Sequence, residues 1–263
     1  KNFNLSLLFI YRKPMQGSSS MGILYPLFYG CGFIVISIFF GLYFFQDKLL
    51  YFPSMPYGTK SPDLNPIGFR SPSDFDLDYE DLFLRSKDGT KVHGWLIKQK
   101  NHKNVPTILY FHGNAGNIGF RLMNAKAMYD ELKCNLILAE YRGYGKSDGV
   151  PNEEAMIEDA GLFVKAVYHD KSLGLDSGNV ILFGRSLGGA VAFAAAERFP
   201  ILVRAVIAEN TFLSISHMVD EIFPILKRLK NLVLKLKWDS ASAAKNIVQP
   251  VLLISGENDE LVP

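Results

Sequence analysis

Cysteine is scarce in this chain, with Cys31 and Cys134 alone in 263 residues. Two isolated cysteines give neither a disulfide framework nor a metal-ligand spacing. A surplus of positive charge is missing too, since 28 Lys and Arg face 26 Asp and Glu. Three of the basic residues (Lys1, Arg12, Lys13) and no acidic one precede residue 46, so the remainder carries 25 basic against 26 acidic residues. That balance argues against nucleic acid as a partner, because neutralising phosphates takes a clustered basic excess. There is no internal repeat. Histidine is sparse at five (His93, His102, His112, His169 and His217), and none follows Asp259.

Charge is wholly absent from residues 21–45, MGILYPLFYGCGFIVISIFFGLYFF. At about 1.5 Å per residue, a helix of that length can cross a hydrocarbon core of ~30 Å. Tyr25 and Tyr29 near one end, and Tyr43 and Phe45 near the other, suit an interfacial belt. A cleaved signal peptide fits less well, since the run is long and no A-x-A-like site closes it. The expectation is a single-pass membrane anchor. The slight basic excess upstream predicts a cytoplasmic N-terminus, an argument that vanishes if Met21 is the start. Residues 1–20 need not be native, and the chain ends at Pro263 in mid-motif, as expected of a C-terminally truncated fragment. Five prolines (Pro53, Pro56, Pro62, Pro66, Pro72) predict an extended connector over 46–78.

From residue 79 onward strands and helices alternate. Asp88-Gly89 predicts a hairpin between Leu82–Arg85 and Val92–Lys98. Apolar strands are expected at Thr107–Phe111, Asn135–Tyr141, Asn179–Phe183, Val203–Glu209 and Pro250–Ser255. Helices are expected at Arg121–Leu132, from Asn152 to about His169, and at Leu187–Arg198. Apolar strands alternating with helices imply an α/β fold, a mostly parallel sheet covered on both faces.

Gly184-Arg185-Ser186-Leu187-Gly188 lies between a strand and a helix, the context that G-x-S-x-G requires. There a serine sits on a strained turn, and side chains in place of Gly184 and Gly188 would clash. Gly189 gives room for close helix packing. N–H groups at the helix start suit a developing oxyanion. Ser186 is therefore the candidate nucleophile, and the N–H groups of Leu187 and Asn114 the candidate oxyanion donors. Asn114 belongs to His112-Gly113-Asn114, after the strand where such folds place the second donor. His112 reads as a loop-shaping residue rather than the base, because the chain order is serine, acid, histidine. Asp259, after the last strand, is the candidate acid; Glu209 is its rival. The histidine is then expected beyond the chain end. Gly145-Lys146-Ser147 ends like a P-loop, but Glu140 stands where that motif needs glycine, which rules out nucleotide binding of that kind. In residues 225–238, Leu229, Leu232, Val233 and Leu236 fall on one helical face with lysines between. This is either a core-packed helix or part of a lid at 211–245 whose basic face meets anionic lipid.

The runs FHGNAGNIG (111–119), YRGYGKS (141–147), FGRSLGGAVA (183–192), ENTFLSISHM (209–218) and SGENDELVP (255–263), with QDKLLYFP (46–53), resemble a small group of membrane-associated serine hydrolases of the α/β-hydrolase superfamily. The resemblance covers about residues 40–263. It implies one N-terminal span and a Ser–Asp–His triad, of which Ser186 and Asp259 are present here. The site residues predict hydrolysis of an ester or thioester through an acyl-enzyme, with no cofactor or metal implied, and the membrane tether makes a lipid or an acylated protein the expected substrate, by access rather than by any residue. Two other readings stay open: a non-catalytic membrane-bound binding or scaffold protein on this fold, and a serine peptidase.

Overall fold

A computed structural model describes residues 21–257 and Asp259; the 1–20 segment and Glu260 lie outside the described residues. The chain falls into two compact units, 1–41 and 42–263. Helix α1 (Met21–Leu50) contains one run, Phe28–Leu50, long and apolar enough to cross a membrane, with mean hydropathy 2.0. It continues past Phe45, where the uncharged run stops. The reason is visible at Gln46, which is buried although polar. Its amide Nε2 donates to the Val233 carbonyl at 3.0 Å, and its Oε1 accepts from the Lys235 and Leu236 N–H groups at 2.7 and 2.9 Å.

In the second unit follow β1 (Glu80–Arg85), β2 (Lys91–Ile97), β3 (Thr107–Phe111), α2 (Leu122–Leu132), β4 (Asn135–Ala139) and α3 (Glu153–His169). Then come β5 (Val180–Arg185), α4 (Leu187–Arg198), β6 (Ala205–Glu209), α5 (Ile215–Ile222), α6 (Lys230–Val233), α7 (Ser240–Asn246) and β7 (Val251–Ile254). The seven strands form one sheet in the order β1-β2-β4-β3-β5-β6-β7. The β1–β2 and β2–β4 pairs are antiparallel and all others parallel.

Strand β3 shows why. All five of its residues are buried, so both faces must be covered. Leu109 and Phe111 join a core with Val164 of α3 and Val191 of α4, while Ile108 and Tyr110 join one with Leu122 and Ala125 of α2. Helix α3 starts where Asn152 accepts from the Ala155 N–H at 3.0 Å, an N-cap.

Two expectations are corrected. Residues 46–78 do not run as an extended connector. Their first residues complete α1, Pro62 and Pro72 open short 3₁₀ turns, and Tyr51, Asn65 and Leu77 are buried. Proline at the first position of a turn supplies the fixed φ without losing a bonded N–H. Residues 225–238 are not one helix. A 3₁₀ turn (Pro224–Leu226) and the four-residue α6 give way to an extended stretch. There Gln46 and Glu153 act as partners, the Glu153 carboxylate accepting from the Lys237 and Trp238 N–H groups at 2.7 and 2.8 Å. Side-chain acceptors from distant elements replace the helical ladder. Strand β7, last in the sheet order, has all four of its residues exposed.

Candidate active site

Strand β5 delivers its chain to Ser186 with Gly184 opposite Phe111 and Arg185 opposite Glu209. Ser186 itself has φ 54° and ψ −119°. A left-handed φ at a residue with a Cβ costs of order 1–3 kcal/mol and survives only where the surroundings impose it. Here the Ser186 N–H donates to the Glu209 carbonyl at 2.9 Å, and its own carbonyl accepts from Thr211 Oγ1 at 2.8 Å. The glycines are equally constrained. A Cβ on Gly184 would strike the Gly188 carbonyl, and one on Gly188 the Phe111 carbonyl. Gly189 makes room for the Thr211 side chain rather than for a strand. The Leu187 N–H is the first of α4, and first-turn N–H groups have no acceptor within a helix.

The 112–118 loop lies against this turn. A Cβ on Gly113 would sit 3.7 Å from Ser186 Cβ. His112 is fully buried, as is the Glu140 side chain beside it. His112 Nδ1–H donates to the Gly113 carbonyl at 2.6 Å, and Nε2 is 2.9 Å from Glu140 Oε1. Glu140 Oε2 accepts from the Ile118 N–H at 3.1 Å, so one carboxylate grips both ends of the loop. With both ring nitrogens engaged, His112 has none left for Ser186.

Asn114 is held from three sides. Its carbonyl accepts from the Phe52 N–H at 3.0 Å and from the Tyr144 hydroxyl at 2.9 Å, and its Nδ2 donates to the Leu50 carbonyl at 2.9 Å. Burial pushes the Tyr144 phenol well above its ordinary range, which keeps it a donor. A parallel bridge between Phe52 and Ala115 completes the junction. Among the described residues the Asn114 backbone N–H makes no hydrogen bond and is available as a donor. Glu140, Tyr144 and the Leu50–Phe52 segment were not legible as site residues. The available hint was a carboxylate placed directly after the apolar run 136–139.

Asp259 reaches the same end of the sheet through linked turns. The Asn210 N–H donates to the Ile254 carbonyl at 2.8 Å, the Gly256 N–H to Asn210 Oδ1 at 2.9 Å, and the Asp259 N–H to the Gly256 carbonyl at 3.2 Å. Asn210 directly follows Glu209, whose carbonyl receives the Ser186 N–H, so the turns after β5, β6 and β7 form one bonded series. Asp259 is half-buried. The Glu209 carboxylate faces Arg185 at 3.8 Å. Among the described residues no histidine makes a hydrogen bond with Ser186, and no cluster of His, Cys, Asp and Glu could hold a metal ion.

A sequence family described as the alpha/beta hydrolase fold matches residues 106–235. The alpha/beta hydrolase domain-containing protein WAV2 of Arabidopsis thaliana is 41% identical over 249 residues, covering 90% of this chain and 78% of that protein. The chain belongs to the α/β-hydrolase domain-containing family. Other members it resembles are protein bem46 of Schizosaccharomyces pombe, 34% identical with 84% of this chain and 72% of that protein covered, and the uncharacterized membrane protein YNL320W of Saccharomyces cerevisiae, 35% identical with 84% and 75% covered. The family fold is also that of the Pyrococcus furiosus esterase Pf2001, with TM-score 0.56 and 19% identity over 73% of this chain and 74% of that one. At that identity the likeness speaks for the fold alone.

Proposed function

We propose that the protein is a membrane-anchored serine hydrolase that cleaves a carboxylic ester or thioester through an acyl-enzyme. The observation that carries this reading is the left-handed backbone of Ser186, held beside the 112–118 loop. Ser186 Oγ attacks the acyl carbon while its proton passes to a histidine. The tetrahedral oxyanion is held by the Asn114 and Leu187 N–H groups, each worth roughly 3 kcal/mol where such donors have been deleted. The carbon–oxygen or carbon–sulfur bond breaks, and the leaving group departs with that proton. Water, deprotonated by the same histidine, then releases the acid and restores Ser186. Asp259 orients that histidine and stabilises its imidazolium. His112, with both ring nitrogens engaged, is not that histidine.

Helix α1 supplies the anchor in this reading, with its N-terminus in the cytoplasm on the strength of Arg12 and Lys13. Tethering makes a lipid or an acylated protein the substrate by access. The test is reaction of the full-length protein with a fluorophosphonate. The adduct is expected on the tryptic peptide that begins at Ser186, after Arg185. Absence of an adduct would favour a binding protein on the hydrolase fold.

The support of Asn114 yields a second expectation. Asn114→Ala keeps the backbone N–H and removes the side-chain bond to the Leu50 carbonyl. A donor that drifts by an ångström loses much of its value, so kcat should fall about 10- to 100-fold with little change in KM. Steady-state kinetics on a short-chain ester checks this, and unchanged kcat would show that the junction is not needed for catalysis.

A further inference from the structure

Residues 222–237 carry a surface that the proposed reaction does not use. Ile222, Phe223, Ile225 and Leu232 are each more than half exposed, Ile225 at 86%. Lys227 and Arg228 are exposed among them, whereas Lys230 is engaged by Asp220 at 2.6 Å and the Ser216 carbonyl at 2.9 Å. Clustered exposed apolar side chains mark a contact surface. Where this one sits is set by its C-terminal end. Gln46 binds the backbone of Val233, Lys235 and Leu236, and Lys235 Nζ stands 4.4 Å from the Tyr43 ring centroid and 5.6 Å from that of Phe44. Tyr43 to Gln46 is the point at which the uncharged run meets its first charges, Asp47 and Lys48.

We propose that residues 222–232 dock on the lipid leaflet from which α1 emerges. Ile222, Phe223, Ile225 and Leu232 enter the headgroup–acyl boundary, and Lys227 and Arg228 meet anionic headgroups. Large apolar groups beside cations match that boundary zone, and the tie to residues 43–46 holds the surface at it. The inference rests on α1 being a membrane anchor and not on the hydrolase chemistry.

The test uses the full chain reconstituted in vesicles of phosphatidylcholine and phosphatidylserine with brominated acyl chains. Ile225→Trp reports on the surface. The native Trp95 and Trp238 are each 1% exposed and give a constant background. Ile201→Trp is the control, at an 89% exposed position that precedes β6 and so lies at the opposite sheet edge from Ser186. Expected is about twofold or greater quenching at position 225 and none at 201, since acyl-chain bromine quenches only what enters the bilayer. Adding Lys227→Glu and Arg228→Glu should remove most of the quenching at 225. Equal quenching at both positions, in chain that resists extraction by alkaline carbonate, overturns the docking and leaves the anchor standing. Release of the chain by carbonate overturns the anchor, and the docking with it.

Discussion

Ser186→Ala in the full-length protein is expected to lower kcat toward a short-chain ester by about 10⁴- to 10⁶-fold, because the group that forms the acyl-enzyme is gone. The residual rate over water should reflect binding and the two N–H donors, which the substitution leaves in place. Folding should be nearly untouched. The Ser186 side chain makes no capping bond to α4, and alanine keeps the same Cβ on the same left-handed backbone. Stability is therefore expected to stay within about 0.5 kcal/mol. The two readouts belong together, since a loss of turnover accompanied by a large fall in Tm would point to unfolding instead. Retained turnover at a wild-type Tm would remove Ser186 from the mechanism.

Arg142→Met should produce the largest loss of stability. Arg142 and Asp159 are both buried, at 5% and 1% exposure. The guanidinium donates to both carboxylate oxygens, from Nε at 2.6 Å and from Nη2 at 2.8 Å. It also donates to Asp88 at 2.9 Å, so one side chain joins the turn after β4, helix α3 and the β1–β2 hairpin. Removing the cation leaves the Asp159 carboxylate buried without its partner, at a cost of about 3–5 kcal/mol. For a domain of this size each kcal/mol moves Tm by about 2–4 °C. The double change Arg142→Met/Asp159→Leu leaves no buried charge and should recover part of that loss. Thermal melts of the two single variants and the double complete the cycle; strict additivity would show that the pair is not coupled.

The elements that were legible in the chain are those with strong local patterns. The β3 span was read from its apolar run, α4 from its Ala-rich run after Ser186, and the β1–β2 hairpin from Asp88-Gly89. Elements that answer to distant partners were not. Nothing local in ILKRLKNLVLKLKW indicates that its second half is extended, because the deciding acceptors are on Gln46 and Glu153. Similarly, a polar residue at the end of an apolar helix gives no sign that it will be buried. Glu140 looked like a misplaced P-loop position, and only the fold turns it toward His112 and Ile118.

Composition, periodicity and the Gly184–Gly188 spacing determined by themselves the α/β class, the apolar N-terminal run and the position of Ser186. Each is written in contiguous residues, through repeat distance or through glycines that a tight turn demands. Tertiary structure alone decided how Leu50 and Phe52 come to hold Asn114, how His112 loses both nitrogens to its neighbours, and how Asn210 links the turn carrying Asp259 to that of Ser186. Apart from the bond between His112 and its neighbour Gly113, these contacts join residues dozens of positions apart. The parallel sheet brings them together by gathering the ends of β3, β5, β6 and β7 along one edge, and no local pattern encodes that meeting.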